Sequence, residues 1–246
     1  MRILILGGTS EASELVKLLA EESFFQATLS LAGRTRQPQV AAGISHRIGG
    51  FGGVAGLVQW LRAQHIAALV DATHPFARVM PFHAAEAAAI CGIPILALRR
   101  PAWQAGPGDD WREFDDHAGI IAALGAAPRR VFLTVGRLEV PAYATAPQHF
   151  YLVRSIDPVV PQPLPEAAWL TERGPFDLDH ELGLLRQHCI DAVVSKNSGG
   201  FATEAKLLAA RSLGLPVLLL RRPQKPALPV AATAAAALDW LRALHP

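Results

Sequence analysis

Ile3-Leu-Ile-Leu6 runs straight into Gly7-Gly8, and a helical pattern carried by Leu15, Val16, Leu18 and Leu19 follows within a few residues. Uninterrupted aliphatic character over so short a run suits a strand covered on both faces. Buried strand, glycine turn and helix start, in that order, make the beginning of the chain a βα unit. The same arrangement binds dinucleotide phosphates. Glycine admits the pyrophosphate to the backbone, and the positive end of the helix meets its charge. The spacing departs from G-x-G-x-x-G, because Gly7, Thr9 and Ala12 hold its three glycine positions. Thr9 brings a hydroxyl where glycine gives close contact, so the turn reads as a phosphate loop or as an ordinary tight βα connection.

The alternation continues beyond this unit. The pattern predicts a helix over 11–21, strands over 27–31 and 46–48, and a helix over 54–65. A strand over 67–70, an alanine-rich helix ending near 91 and a strand over 95–98 follow. Short apolar strands without two-residue alternation read as a parallel sheet with helices on both faces. Residues 99–113 are polar and helix-breaking, with Arg99-Arg100-Pro101 and Gly106-Pro-Gly-Asp-Asp110, and read as a boundary. After it come a helix at 120–124, strands at 131–135 and 151–153, and a proline-dense connection over 158–165. A helix at 178–188, a strand at 192–195, a helix at 203–213, a strand at 217–220 and a closing helix at 231–244 complete the chain. With 246 residues, 51% of them hydrophobic, the chain can bury one large core or two smaller ones. The expected fold is α/β, two Rossmann-like domains with parallel sheets flanked by helices: 1–100, a linker over 101–113, and 114–246. The active-site cleft is expected between them.

Composition removes several function classes. A formal charge of +2, with 18% charged residues and no long basic block, argues against nucleic-acid binding. No run reaches the roughly 18 apolar residues of a membrane span, and Gly7 interrupts the first apolar stretch before it resembles a signal peptide. Cys91 and Cys189 lie in apolar helical segments and read as buried free thiols rather than a disulfide or metal ligands. A cytoplasmic monomer without a metal is expected.

Ligands of open parallel sheets sit at the carboxyl ends of the strands. Five such ends here combine glycine, hydroxyls and charge: Gly7 to Glu11, Gly33 to Arg36, Asp71 to Phe76, Thr134 to Arg137, and Ser195 to Gly200. Arg34 and Arg36 fall where NAD-binding folds place a carboxylate for the ribose 2′-hydroxyl, and no Asp or Glu occurs between Glu22 and Asp71. An arginine there suits a 2′-phosphate, which favours NADPH; the alternative is an exposed basic turn. In Asp71-Ala-Thr73-His74-Pro-Phe76, the residues suit either a helix cap with a structural histidine or a loop along the nicotinamide ribose or the substrate. Ser195-Lys196-Asn197-Ser198-Gly199-Gly200 lacks the P-loop spacing and reads as a second phosphate loop or a solvated turn.

Gly-Gly-Thr-Ser-Glu-Ala at 7–12, Asp-Ala-Thr-His-Pro-Phe-Ala at 71–77, Thr-Val-Gly-Arg at 134–137 and Ser-Lys-Asn-Ser-Gly-Gly at 195–200 occur in order along nearly the whole chain. Leu219-Leu-Arg221-Arg222-Pro follows near the end. In these blocks the chain resembles the precorrin-6A reductases of cobalamin biosynthesis, most of which carry a second threonine where this chain has Val135. The resemblance implies an NADPH-dependent reductase that passes a hydride to C19 and a proton to C18 of precorrin-6A, giving precorrin-6B, without metal or flavin. On this reading the cofactor is held by Gly7, Gly8, Thr9, Ser10, Glu11, Ala12, Arg34, Thr73, His74, Gly136, Ser195, Lys196, Asn197, Gly199 and Gly200. The tetrapyrrole meets Phe76, Arg137, Ser198, Thr203 and Arg221, and His74 and Lys196 are the candidate proton donors. Further arginines at strand ends (Arg99, Arg100, Arg154, Arg222) suit the substrate's carboxylates. Two other readings stay open: a non-catalytic NADP-sensing module, and an NADP-dependent reductase of a small carbonyl compound, whose general acid would have to be Tyr143, Tyr151 or a lysine.

Overall fold

The structure, a computed structural model, describes residues 1–33 and 44–244. The chain divides into two compact units. One comprises Met1–Pro101 with Pro223–Pro246, the other Ala102–Arg222.

In the first unit, strands β1 (Arg2–Leu6), β2 (Gln26–Leu31), β3 (Ser45–Ile48), β4 (Ala68–Asp71) and β5 (Ile95–Leu98) alternate with helices α1 (Ser10–Ala20), α2 (Gly53–Ala63) and α3 (Met80–Cys91). All pairings are parallel, and β1 lies between β2 and β4, with Leu6 opposite Ser30 on one side and Asp71 on the other. A parallel pair requires a crossover connection, and a helix supplies each one described here. β1 and β4 are central and their aliphatic side chains are buried on both faces, which is why neither shows alternation.

In the second unit, β6 (Trp111–Phe114), β7 (Arg130–Thr134), β8 (Phe150–Ser155), β9 (Ala167–Thr171), β10 (Ala192–Lys196) and β11 (Val217–Leu220) form another fully parallel sheet. Helices α4 (His117–Leu124), α5 (Leu178–Gln187) and α6 (Ala205–Ser212) accompany it. β12 (Val230–Ala231) and α7 (Ala234–Ala243) belong to the first unit: β12 runs parallel to β5, and Ala234, Ala237, Leu238 and Leu241 share a core with Leu15, Val16 and Leu19 of α1.

The strand orders are β3-β2-β1-β4-β5-β12 and β9-β8-β7-β10-β11-β6. Both follow the doubly wound order in which sheet growth reverses beside the first strand. The sixth position is filled unusually in each case, by a segment after the other unit in the first sheet and by a segment before the main alternation in the second. Two expected boundaries therefore move. Residues 223–246 close the first unit instead of the second, and 102–113 are part of the second unit rather than a linker. Physical ties explain the latter. Asn197 bonds both the N–H and the C=O of Trp103, at 2.9 and 3.1 Å, and the buried Asp109 carboxylate takes two bonds from Arg211, at 2.8 and 2.6 Å. That guanidinium holds the Asp109 carboxyl below its ordinary range.

Helix starts follow from short polar caps. Thr9, Asp116, Asp177 and Thr233 each accept a bond from the N–H three residues on. Among the described residues no helix is long and apolar enough to cross a membrane. Both cysteines are unpaired, as expected, but Cys189 is exposed and Cys91 only partly buried. Cys189 lies just beyond the end of α5 at φ 49, outside the helix whose buried face it was expected to share.

Candidate functional site

Each sheet has one reversal point, between β1 and β4 and between β7 and β10, and four of the sequence motifs end on these strands. At the first, Thr9 caps α1 by accepting from Ala12 N–H at 3.2 Å, and its hydroxyl donates to the Ala72 carbonyl at 3.0 Å. The hydroxyl that replaces the second glycine of the fingerprint thus ties the β1 turn to the β4 loop. Gly8 holds φ 134, which disfavours any other residue. A Cβ placed there would stand 3.7 Å from the His74 backbone nitrogen, so the two loops approach closely. Helix geometry leaves the N–H groups of Ser10 and Glu11 without intrahelical acceptors. The Glu11 carboxylate would repel an anion at this terminus, but Arg100 binds it at 2.7 Å, with both side chains largely buried.

Asp71 caps no helix. Its carboxylate accepts from Thr73 N–H at 3.1 Å, folding the loop back on itself, and α3 starts later, at Met80. His74 Nδ1 accepts from Phe76 N–H at 3.2 Å. That bond occupies the Nδ1 lone pair, so the neutral ring carries its proton on Nε2. Nε2–H is thereby left to donate a hydrogen bond. Phe76, assigned by sequence to the substrate, is only 9% exposed. Arg34 lies outside the described residues.

At the second reversal point, Lys196 Nζ donates to Glu139 Oε2 at 2.8 Å, and the same oxygen accepts from Gly136 N–H at 2.7 Å. One carboxylate therefore clips the β7 loop to the β10 loop. The absence of a side chain at Gly136 is required, since a Cβ would lie 2.8 Å from Glu139 Oε2 and 3.1 Å from Lys196 Nζ. Leu138 and Phe201 flank these loops in sequence and are 72% and 82% exposed. Sequence reasoning missed Glu139, which belongs to no motif, and both of these apolar side chains.

Several assigned residues are engaged in bonds within the protein. The Asn197 side chain is buried and given to Trp103, and buried Ser195 directs its hydroxyl to the Lys196 carbonyl at 3.3 Å. Arg222 donates to the Asn197 and Ser198 carbonyls at 2.8 and 2.9 Å. Arg221 binds Glu113 and Asp115, at 3.3 and 3.0 Å. Arg154 is buried against Glu181. Of the arginines matched to substrate carboxylates, Arg137 stands directly beside the Glu139–Lys196 clip in sequence, and the buried Nη2 of Arg99 has no hydrogen-bond partner among the described residues. Tyr143 and Tyr151 are fully buried, and burial raises both phenols, Tyr151 to about 12. Neither is placed as a general acid.

Comparison with known proteins agrees along the whole chain. The family model described as Precorrin-6x reductase CbiJ/CobK matches residues 2–242. A precorrin-6A reductase of Rhodobacter capsulatus is 48% identical over 241 residues, covering 98% of this chain and 95% of the relative. One of Rhodococcus erythropolis is 46% identical over 244 residues, covering 99% and 98%. The solved structure of CobK precorrin-6A reductase matches with a TM-score of 0.92 at 46% identity, covering 100% of this chain and 97% of that one.

Proposed function

This chain belongs to the precorrin-6A reductase family, and we propose that it reduces the C18–C19 double bond of precorrin-6A with NADPH, giving precorrin-6B. It is an oxidoreductase of cobalamin biosynthesis, which removes the non-catalytic sensor from consideration. One observation supports the cofactor half of the reading above the others. The Gly7–Ala12 turn and the Asp71–Phe76 loop are joined at the reversal point of a doubly wound sheet, where dinucleotides bind.

The residues at this point fit the cofactor. Ser10 and Glu11 offer N–H groups to the pyrophosphate, and Arg100 cancels the Glu11 charge that would oppose it. Thr73 and the Nε2–H of His74 are proposed to orient the nicotinamide ribose. When bound, NADPH supplies the hydride delivered to C19. Lys196 is proposed to hold or donate the proton for C18, with its ammonium fixed by Glu139. Arg137, Ser198 and Thr203 take acetate and propionate carboxylates, while Leu138 and Phe201 offer apolar contact to the ring. The test is anaerobic turnover with NADPH carrying deuterium at both hydrogen positions of the nicotinamide C4. Deuterium at C19 of the product supports the proposal, and a reduced ring without deuterium sinks it.

Arg34 is proposed to pair with the 2′-phosphate. Losing a charge-assisted contact costs about 1.5–3 kcal/mol, roughly 10- to 150-fold in affinity. Arg34→Ala is therefore expected to weaken NADPH by that factor and leave NADH nearly unchanged, measured by fluorescence titration of both. Equal weakening would assign Arg34 to folding instead.

A further inference from the structure

Lys206, in the first turn of α6, is 3% exposed. Its Nζ donates to the Thr203 carbonyl at 2.5 Å and sits 4.9 Å from the centroid of the Trp103 ring. Among the described residues it has no other hydrogen-bond partner and no carboxylate within ion-pair distance. A buried ammonium with one carbonyl and an aromatic face for company costs stability. Methionine would fill similar volume without that cost, so the charge must be explained by what it touches.

What it touches brackets one loop. Trp103 is bound through both backbone polar groups to the side chain of Asn197, at the start of the segment that follows β10. Thr203 stands at the far end of the same segment. Arg222 grips the Asn197 and Ser198 carbonyls at its near end. We propose that Lys206 is a positioning residue: its ammonium fixes the Asn197–Thr203 loop in the form that receives substrate, and the hold weakens when the proton leaves. The inference rests on the proposed reading of this loop as part of the substrate site.

The charged groups around Lys206 come from three segments: Arg154 on β8 disfavours the ammonium, while Glu181 on α5 and Glu204 before α6 favour it. Burial outweighs them and brings the group down to about 7. The ammonium is therefore present on the acid side of neutrality and is lost as pH rises through it. KM for precorrin-6A is expected to rise roughly tenfold between about pH 6 and pH 8.5, with kcat changing less. In Lys206→Met, KM stays at the wild-type alkaline value throughout, and Lys206→Arg keeps it low throughout.

A second readout needs no substrate. Tryptophan emission of the protein alone, titrated over the same range, is expected to show an inflection near neutrality that both Lys206→Met and Trp103→Phe lose. The proposal is overturned if wild type shows no inflection, if Lys206→Met retains it, or if KM of Lys206→Met follows the wild-type pH dependence. A wild-type protein that fails to reduce precorrin-6A would instead defeat the proposed function, while the emission titration would still decide the role of Lys206.

Discussion

Replacing Lys196 with alanine is expected to cut single-turnover reduction at saturating NADPH by a hundredfold or more, within the range of roughly 10²–10⁴ for a positioned proton-transfer group. The ammonium lies 2.8 Å from Glu139, which also accepts from Gly136 N–H. Its loss removes a charge and loosens the clip between the two loops. The Gly7–Ala12 turn lies in the other unit, so NADPH affinity should stay within about threefold, a change below 1 kcal/mol. Glu139→Gln sharpens the test. The amide keeps an oxygen for Gly136 and Lys196 but no charge, and it should lower the rate less than Lys196→Ala. Wild-type rates in Lys196→Ala would remove the side chain from the chemistry and leave orientation as the contribution of this loop.

The largest stability effect is expected at Glu181, which is fully buried. Arg154 meets it through two bonds, at 2.5 and 3.0 Å, and the guanidinium lies 4.8 Å from the Phe132 centroid and 3.7 Å from that of Phe176. Removing one member of a buried pair leaves the other charge desolvated, at a cost of about 3–5 kcal/mol. Glu172, 3.8 Å from Arg154 with no hydrogen bond to it, is too distant to replace the lost partner fully. Glu181→Ala should therefore lower the urea midpoint sharply. The double variant Glu181→Leu, Arg154→Met should recover most of the loss, because no unpaired charge remains. A loss below about 1 kcal/mol in Glu181→Ala would show that the pair is well solvated in the folded state.

These effects were unequally visible from the amino acids. Strands β1, β4, β7 and β10 are central, so their aliphatic runs are continuous and each ends on a recognisable turn. That made both reversal points legible in outline. Edge strands gave weaker signals. Trp111-Arg-Glu-Phe114 exposes Arg112 and Glu113 and reads as polar connection, and Val230–Ala231 is too short to register until β5 is beside it. The chemistry divided in the same way. Thr9 and Lys196 belong to motifs whose backbone context is local. Glu139, Lys206 and Asp109 are single charged residues whose meaning depends on partners at Lys196, Trp103 and Arg211. Asn197 had the opposite difficulty: a polar residue in a ligand-type loop, it is consumed by a backbone 94 residues away in sequence.

The crossing of segments has a consequence for the order in which the molecule is made. The buried face of α1, with Leu15, Val16 and Leu19, is covered partly by α7, and β5 gains its outer neighbour only from β12. Both covering elements are translated after the whole of Ala102–Arg222. On the ribosome, the first unit therefore waits with an open edge and a bare apolar helix face while the second is synthesised. The unit that begins first is completed only after the second has been synthesised.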